Sequence, residues 1–170
     1  MSYDYNALYA EIPDALGAPT EAFVQYFEKY SGPPLRVFDA GCGQGRDALF
    51  IARLGHSVVG VDIAGAGIAQ LAAAAKAEGL PITAVADNII TYEPDGRFDI
   101  LLIDRTLHMI ADTDERHACF GVLLGHLAPG GTLLLADEPS NMIGLRAVMD
   151  TTGRHWTTLI DKGGLLFAQG

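Results

Sequence analysis

The sequence has few of the residues that build metal sites or disulfides. Its 170 residues include two cysteines, Cys42 and Cys119, which lie far apart and form no CxxC pair. The five histidines form no HxxH or HxxxH pair. Zinc sites and disulfide frameworks depend on such spacings. We therefore predict neither a metal site nor a disulfide.

Positive charge is also scarce. The chain carries 11 lysines and arginines against 21 acidic residues, a net charge of −10. A surface with that excess of negative charge repels phosphate backbones and anionic lipids, and the basic residues are scattered rather than clustered. We therefore predict no nucleic-acid partner and no membrane partner.

Long apolar runs are missing as well. No run reaches the roughly 18 residues that a membrane-spanning helix needs. Met1 to Asn6 carry neither a basic nor an apolar leader region, so no signal peptide is expected. With 49% hydrophobic and 19% charged residues, the composition predicts a globular, cytoplasmic protein with a single domain overall.

The sequence instead shows short aliphatic runs that alternate with longer periodic stretches. The predicted strands are Arg36–Ala40, Ser57–Asp62, Ile82–Asp87, Phe98–Asp104 and Gly131–Asp137. The predicted helices are Thr20–Tyr30, Gly45–Leu54, Gly65–Glu78 and Thr113–Leu127. Such alternation predicts parallel strands joined by right-handed crossovers, which is an α/β fold.

The two ends of the chain differ from this pattern. Trp156 to Gln169 reads as two strands joined by a turn at residues 161–164, which predicts an antiparallel hairpin. Residues 1–34 are predicted to be a helical segment, and residues 35–170 the main domain. The segment could be a lid over a site, or a helix packed on the sheet with a frayed tail.

A glycine-rich loop, "FDAGCGQGRD", follows the first predicted strand. Gly41, Gly43 and Gly45 lie at alternate positions, so the chain can turn tightly and approach a ligand closely at a helix N-terminus. A dinucleotide fingerprint has its third glycine where this chain has Arg46. No Gly-Lys-Ser/Thr follows, which excludes a P-loop. The loop therefore predicts a nucleotide-type cofactor other than a dinucleotide.

Acidic residues accompany the first three predicted strands. Asp39 lies two residues before the loop and suits a cationic ligand, whereas Asp62 and Asp87 end the next two strands. Open parallel sheets bind ligands at the carboxyl ends of their strands, where an acid can accept hydrogen bonds from a ribose. The alternative is that these acids cap helices or lie in solvated loops.

These residues carry a resemblance to a known family. "VFDAGCGQGRDALFIARLGHSVVGVDIA" resembles the first two motifs of class I S-adenosylmethionine-dependent methyltransferases, and "FDILLID" and "LAPGGTLLLADEP" resemble later ones. Within that family, the stretch "GCGQGRDALFIARLGHSVVGVD" is most similar to the tellurite-resistance-type and thiopurine-type branch, which acts on small molecules. Over residues 35 to 169, the resemblance implies a Rossmann-like three-layer α/β/α sandwich. Its sheet would have seven mostly parallel strands in the order 3-2-1-4-5-7-6, with the last strand antiparallel.

The resemblance also implies which residues hold S-adenosyl-L-methionine. Asp62 would bind the ribose hydroxyls and Asp87 the adenine amine, with Ile63 and Asn88 beside the adenine. The residues that would line or face the methionine part are Asp39, Gly41, Cys42, Gly43, Gly45, Asp104 and Arg105. Cys42 is expected to serve as a small loop residue and not as a nucleophile.

Candidate residues for contact with the methyl acceptor follow the later strands. His108, in "DRTLHMI", is the candidate general base because an imidazole titrates near neutral pH; the alternative is a histidine that packs in its loop. Glu138 and Ser140 are candidate substrate contacts, or parts of an ordinary loop and helix start. Tyr5 and Tyr9 could close over the site, where aromatic faces attract a sulfonium.

The expected function is therefore methyl transfer to a small molecule. The alternatives are methylation of a protein side chain, a non-catalytic S-adenosylmethionine-binding module, and a nicotinamide oxidoreductase, which Arg46 disfavours. The N/D-P-P-Y/F motif of nucleic-acid amino-methylating enzymes is absent. Since the chain is close to the minimal core, the pocket must be covered by the N-terminal segment, a second subunit of a homodimer, or a large acceptor.

Overall fold

The structure, a computed structural model, describes residues 4–170. Met1, Ser2 and Tyr3, which begin the predicted segment 1–34, lie outside the described residues. The chain divides into two compact units, of which the first ends at Tyr92 and the second comprises Glu93–Gly170. The predicted boundary between residues 34 and 35 stays a prediction.

Seven strands within residues 4–170 form one sheet in the order β3-β2-β1-β4-β5-β7-β6. They are β1 (Arg36–Ala40), β2 (Ser57–Asp62), β3 (Ile82–Ala86), β4 (Phe98–Asp104), β5 (Leu127–Ala136), β6 (Thr157–Lys162) and β7 (Leu165–Gln169). β1, β2 and β3 pair in parallel, as do β4 and β5, whereas β7 is antiparallel to both β5 and β6. The predicted α/β fold class, with its strand order and reversed last strand, is confirmed.

Helices occupy most of the connections. In the described part of the chain they are α1 (Tyr5–Glu11), α2 (Glu21–Lys29), α3 (Arg46–Arg53), α4 (Gly65–Glu78), α5 (Thr113–Gly125) and α6 (Met142–Thr151), and a 3-10 turn lies at Leu107–Met109. Asp112 caps α5, because its Oδ1 accepts a hydrogen bond of 2.9 Å from Glu115 N. In residues 4–170, no helix combines the length and apolarity that crossing a bilayer requires.

Several element boundaries differ from the predicted ones, most of them by a single residue. β5 begins at Leu127 rather than Gly131, because the Pro129–Gly131 stretch is absorbed as an irregularity in the pairing of β4 with β5. α5 consequently ends at Gly125, two residues early. β3 ends at Ala86, which leaves Asp87 in the loop after it.

No range was predicted for α6, because the residues before it were interpreted only as substrate contacts or as an ordinary loop and helix start. Its buried residues, Met142, Leu145 and Met149, are spaced three and four apart, which is the pattern of one helix face. The preceding "EPSN" hid this pattern, because proline, serine and asparagine favour turns.

One histidine belongs to the packing of the first unit. His56 Nδ1 accepts a hydrogen bond of 3.0 Å from Leu35 N, and its ring lies against Phe27 and Tyr30. Burial lowers the pKa of His56. The side chain is therefore held neutral inside the fold.

Candidate functional site

The glycine loop joins β1 to α3 through a series of left-handed residues. Gly41, Gly43 and Gly45 have φ values of 82°, 54° and 82°, which side chains with a Cβ rarely adopt. The amides of Gly41 and Cys42 donate to Val61 O at 2.8 and 3.1 Å. The loop is thereby fixed to the carboxyl end of β2.

Asp62, the last residue of β2, is bonded to the loop by its side chain. Its Oδ2 accepts from Gly43 N at 2.9 Å and its Oδ1 accepts from Ala64 N at 2.7 Å. Two backbone amides therefore orient the carboxylate. Ile63 follows with its side chain 76% exposed, which places an apolar surface directly beside the acid.

The third predicted acid lies next to Asp62. Asp87 N donates to Asp62 O at 3.1 Å, and Asp87 Oδ1 accepts from Asn88 N at 2.7 Å. Asp87 is exposed, whereas Asp39 is buried within β1. The structure thus brings Asp62 and Asp87 together at neighbouring strand ends of the first unit, as the sequence predicts.

Cys42 lies in the loop but its thiol packs inward. A Cβ added to Gly60, in β2, would lie 2.9 Å from Cys42 Sγ. Burial raises the pKa of the thiol, and the charges of Asp39 and Asp62 raise it further. The sulfur is therefore held as a neutral thiol and offers no nucleophile.

Residues 4–20, named here the N-terminal strap, are attached to the glycine loop by Gln44. The Nε2 atom of Gln44 donates to Ile12 O and to Gln70 Oε1, at 2.8 and 2.7 Å. Its Oε1 accepts from Ala15 N at 2.8 Å. One buried side chain of the loop therefore satisfies two backbone groups of the strap.

Arg46 and Asp47 extend this attachment. Arg46 NH1 donates to Leu16 O at 2.9 Å, and Arg46 NH2 donates to Thr20 Oγ1 at 3.1 Å. Asp47 Oδ1 accepts from Thr20 N at 3.0 Å. Arg46, which replaces the third glycine of the dinucleotide fingerprint, therefore contacts the strap. Sequence reasoning missed this role, for which the available signal was three polar residues within four positions, Gln44, Arg46 and Asp47.

Tyr9 of the strap packs against the loop. It is 4% exposed, and a Cβ added to Gly43 would lie 2.7 Å from its hydroxyl oxygen. A Cβ added to Gly67, at the start of α4, would lie 2.8 Å from its ring. Burial raises the pKa of Tyr9, as does the charge of Asp62. Tyr5 lies beside it, with ring centroids 5.7 Å apart.

The second unit has its own cluster at the ends of β4 and β5. Arg105 follows Asp104 with a left-handed φ of 52°, and its amide donates to Ala136 O at 2.7 Å. A cleft of about 280 Å³ lies here. It is lined by Arg105, Ala136, Asp137, Glu138, Pro139, Gly164 and Leu165. The predicted contact Glu138 is therefore at the cleft, whereas Ser140 does not line it.

His108 lies in the 3-10 turn after β4, against Asp137. His108 N donates to Asp137 Oδ2 at 3.1 Å, and His108 Nδ1 lies 4.0 Å from the same oxygen. That separation permits an ion pair but exceeds a hydrogen bond. The buried Nδ1 atom has no hydrogen-bond partner among residues 4–170.

Asp137 is a site residue that sequence reasoning missed. Its Oδ1 accepts from Glu138 N at 2.8 Å and from Asn141 Nδ2 at 2.7 Å. Arg116 NH1 in turn donates to Asn141 Oδ1 at 2.7 Å. The available signal was its place directly after β5, which matches Asp87 directly after β3.

Comparison with known proteins identifies the family. The family model described as "Methyltransferase domain" matches residues 37–131. Over 180 residues the chain is 32% identical to 2-heptyl-1-hydroxyquinolin-4(1H)-one methyltransferase from Mycobacteroides abscessus, covering 96% of this chain and 76% of the relative.

Solved structures share the fold. Magnesium protoporphyrin IX methyltransferase from Synechocystis PCC 6803, with bound S-adenosylmethionine, has a TM-score of 0.69 at 19% identity, covering 88% of this chain and 76% of that one. TehB from Haemophilus influenzae has a TM-score of 0.71 at 21% identity, covering 90% and 61%. The chain therefore belongs to the class I S-adenosylmethionine-dependent methyltransferases.

Proposed function

We propose that this protein transfers a methyl group from S-adenosyl-L-methionine to a small-molecule acceptor. The first unit, with the N-terminal strap, binds the cofactor. The carboxyl-end residues of β4 and β5 in the second unit contact the acceptor. The proposal depends first on what the glycine loop can and cannot bind.

The observation that carries the proposal is how the loop amides are used. Gly41 N and Cys42 N donate to Val61 O, and Gly43 N donates to Asp62 Oδ2. These amides are therefore not offered to a pyrophosphate, which a dinucleotide-binding loop would have to accept. The loop instead suits a ligand that is cationic near the glycines.

The residues present fit S-adenosyl-L-methionine in chemistry. Asp62 is an oriented carboxylate that can accept hydrogen bonds from a ribose diol, and the exposed Ile63 offers an apolar face to an adenine. Asp87 and Asn88 offer polar atoms for the adenine edge. Asp39, the glycines and the aromatic rings of Tyr5 and Tyr9 offer negative potential to a sulfonium.

When bound, the cofactor supplies an electrophilic methyl group that is transferred by in-line displacement, with the carbon–sulfur electron pair remaining on sulfur. The protein has to align the acceptor and exclude water. Positioning of this kind can contribute roughly 7–11 kcal/mol. The buried Tyr9 and the strap exclude water from the loop side.

A base is needed only when the acceptor carries a proton. We assign this task to His108, whose side chain is 26% exposed. Its imidazole takes the proton of an acceptor hydroxyl or amine as the new bond to carbon forms. General-base catalysis of this kind contributes roughly 10²–10⁴-fold. A thiolate acceptor would not require it.

Three observations support a small acceptor. The cleft of about 280 Å³ is at the lower end of ligand-sized pockets. The net charge of −10 disfavours RNA or DNA. The relative from Mycobacteroides abscessus is named for a small quinolone as its acceptor.

Calorimetry with S-adenosylmethionine, S-adenosylhomocysteine and NADH tests the cofactor assignment. We expect binding of the first two and no response to NADH. Tight binding of NADH without a response to the other two would contradict the proposal.

The acceptor class is tested by measuring methyl transfer to a panel of candidate acceptors. The panel contains thiols, phenols, amines, N-hydroxy heterocycles and a mixed peptide library. Transfer to peptides alone would indicate a protein methyltransferase, and cofactor binding without transfer a non-catalytic module. With a phenol or amine acceptor, we expect His108→Ala to lose about 100-fold in rate. His155→Ala, at an exposed histidine, is the control. An unchanged rate in His108→Ala from pH 6 to 9 would exclude His108 as the base.

A further inference from the structure

We propose that Asp137 is a positioning residue that holds the His108 imidazole in one tautomer and one orientation. The inference rests on the proposed function, because a positioned base matters only if a proton is removed from the acceptor. It concerns the second unit alone.

Asp137 is itself rigidly held. Its side chain has no exposed surface, and its two oxygens accept from three donors: His108 N, Glu138 N and Asn141 Nδ2. A buried carboxylate is stable in its charged form when donors surround it in this way.

Arg116 supports this arrangement from α5. Its guanidinium donates through Nε and NH2 to Ile110 O, at 3.0 and 2.8 Å, and through NH1 to Asn141. Arg116 therefore connects the chain just after the 3-10 turn to the residue that holds the Asp137 carboxylate. The backbone of His108 and the carboxylate are thus fixed with respect to each other.

The His108 ring is the incomplete part of the arrangement. Its buried Nδ1 atom is 4.0 Å from Asp137 Oδ2 and has no hydrogen-bond partner among the described residues. Closing this gap by about 1 Å forms a hydrogen bond from Nδ1–H to the carboxylate. Even at 4.0 Å, the negative carboxylate favours the tautomer whose proton faces it, and ligand binding often shortens a catalytic hydrogen bond further. Because Nδ1 then carries the proton, Nε2 is left with a free electron pair for the acceptor proton.

The carboxylate also has an electrostatic consequence. When Nε2 takes the proton, the acceptor O–H or N–H bond breaks and the imidazole becomes a cation. Asp137 stabilises this cation across the short gap. The other charged residues on the segments around His108 are Asp104, Arg105, Asp112, Asp114, Glu115, Arg116 and Glu138.

Nitrogen-15 NMR of the imidazole tests the proposal without any turnover. In the cofactor-free protein above pH 8, we expect the His108 spectrum to show the Nδ1–H tautomer. Asp137→Asn should shift the population toward Nε2–H, whereas Asp114→Asn, at an exposed acid of α5, should not. A wild-type protein in the Nε2–H form overturns the proposal, and this result requires no variant to fold.

Kinetics provide the second readout. With a phenol acceptor, Asp137→Asn should lower kcat about 10- to 100-fold, leave the KM for S-adenosylmethionine unchanged, and move the acid limb of the pH–rate profile to lower pH. Loss of kcat with an unmoved acid limb would indicate a merely structural role and overturn the proposal. Absence of cofactor binding or methyl transfer in the wild type would contradict the proposed function instead, and the tautomer measurement would still decide the role of Asp137.

Discussion

The glycine loop of the first unit and the β4–β5 ends of the second unit differ in how completely their polar groups are paired. Around the loop, Gln44, Arg46, Asp47 and Asp62 all hold backbone groups within hydrogen-bond distance. At the β4–β5 ends, the Arg105 and Glu138 side chains are exposed, and His108 Nδ1 is unpaired within residues 4–170.

This difference matches the two tasks that we propose. The cofactor is the same in every reaction cycle, so a preformed, fully bonded loop can bind it. Such a loop loses little conformational entropy on binding. Groups that meet the acceptor complete their hydrogen bonds only when it arrives. Arg105, held in a left-handed conformation, is consistent with this, because backbone strain concentrates at functional sites.

The largest effect is expected from removing the carboxylate that fixes the loop. Asp62→Ala leaves the Gly43 and Ala64 amides without their acceptor and removes the proposed ribose contact. Since hydrogen bonds to charged groups contribute roughly 1.5–3 kcal/mol each, we expect affinity for S-adenosylhomocysteine to fall at least about 100-fold. Calorimetry measures this loss.

Asp150→Ala, at an exposed acid of α6, is the control for that measurement. Equal affinities in both variants would remove Asp62 from the cofactor site. That result would also contradict our inference that the glycine loop is preformed for the cofactor, whereas the β4–β5 ends are not.

An intermediate effect is expected from loosening the N-terminal strap. Gln44→Ala removes the hydrogen bonds to Ile12 O and Ala15 N. We expect hydrogen exchange to accelerate across residues 5–20, and cofactor affinity to fall about tenfold because the strap must be reordered on binding. Arg53→Ala, which removes an exposed ion pair with Glu78, is the matched control. Faster exchange with unchanged affinity would show that the strap is not part of the cofactor site.

The smallest effect concerns the pH dependence of stability in the packed part of the first unit. Burial lowers the pKa of His56. Below the unfolded-state pKa of about 6.5, the unfolded chain binds a proton that folded His56 resists, so stability falls as the pH drops through this value toward the folded pKa. His56→Asn keeps an acceptor for Leu35 N but cannot titrate.

We therefore expect the Tm of His56→Asn to change less than that of the wild type between pH 7.5 and 5.5. An equal decline in both proteins would assign the acid sensitivity to other groups.

Most of the fold could be predicted because its signals are local. Alternating aliphatic runs, loop glycines and the Asp112 cap each act within a few residues. The irregularity in β5 could not be predicted in this way, because the Pro129–Gly131 stretch is accommodated by pairing with β4, and α6 was hidden by the turn-forming residues before it.

In the candidate site, too, the features with local signals could be predicted and those that depend on tertiary packing could not. Gly43, Asp62 and Asp87 were predictable because a strand-end acid and a glycine turn are recognisable in sequence. The bonds of Gln44 to Ile12 and of Arg46 to Leu16 span about 30 residues, and the bond of Asn141 to Asp137 depends on the unpredicted N-terminus of α6. Contacts of this kind depend on tertiary packing and leave no periodic pattern.

The strap also has a consequence for how the chain is made. Its side-chain anchors, Gln44, Arg46, Asp47 and Gln70, all lie within the first 70 residues, and the parallel pairing of β1, β2 and β3 is complete by Ala86. A nascent chain emerges from the ribosome N-terminus first, at roughly 5–20 residues per second, so the strap has all of its anchors before β4 emerges. A pause while β4 is still inside the ribosome would give the strap time to close.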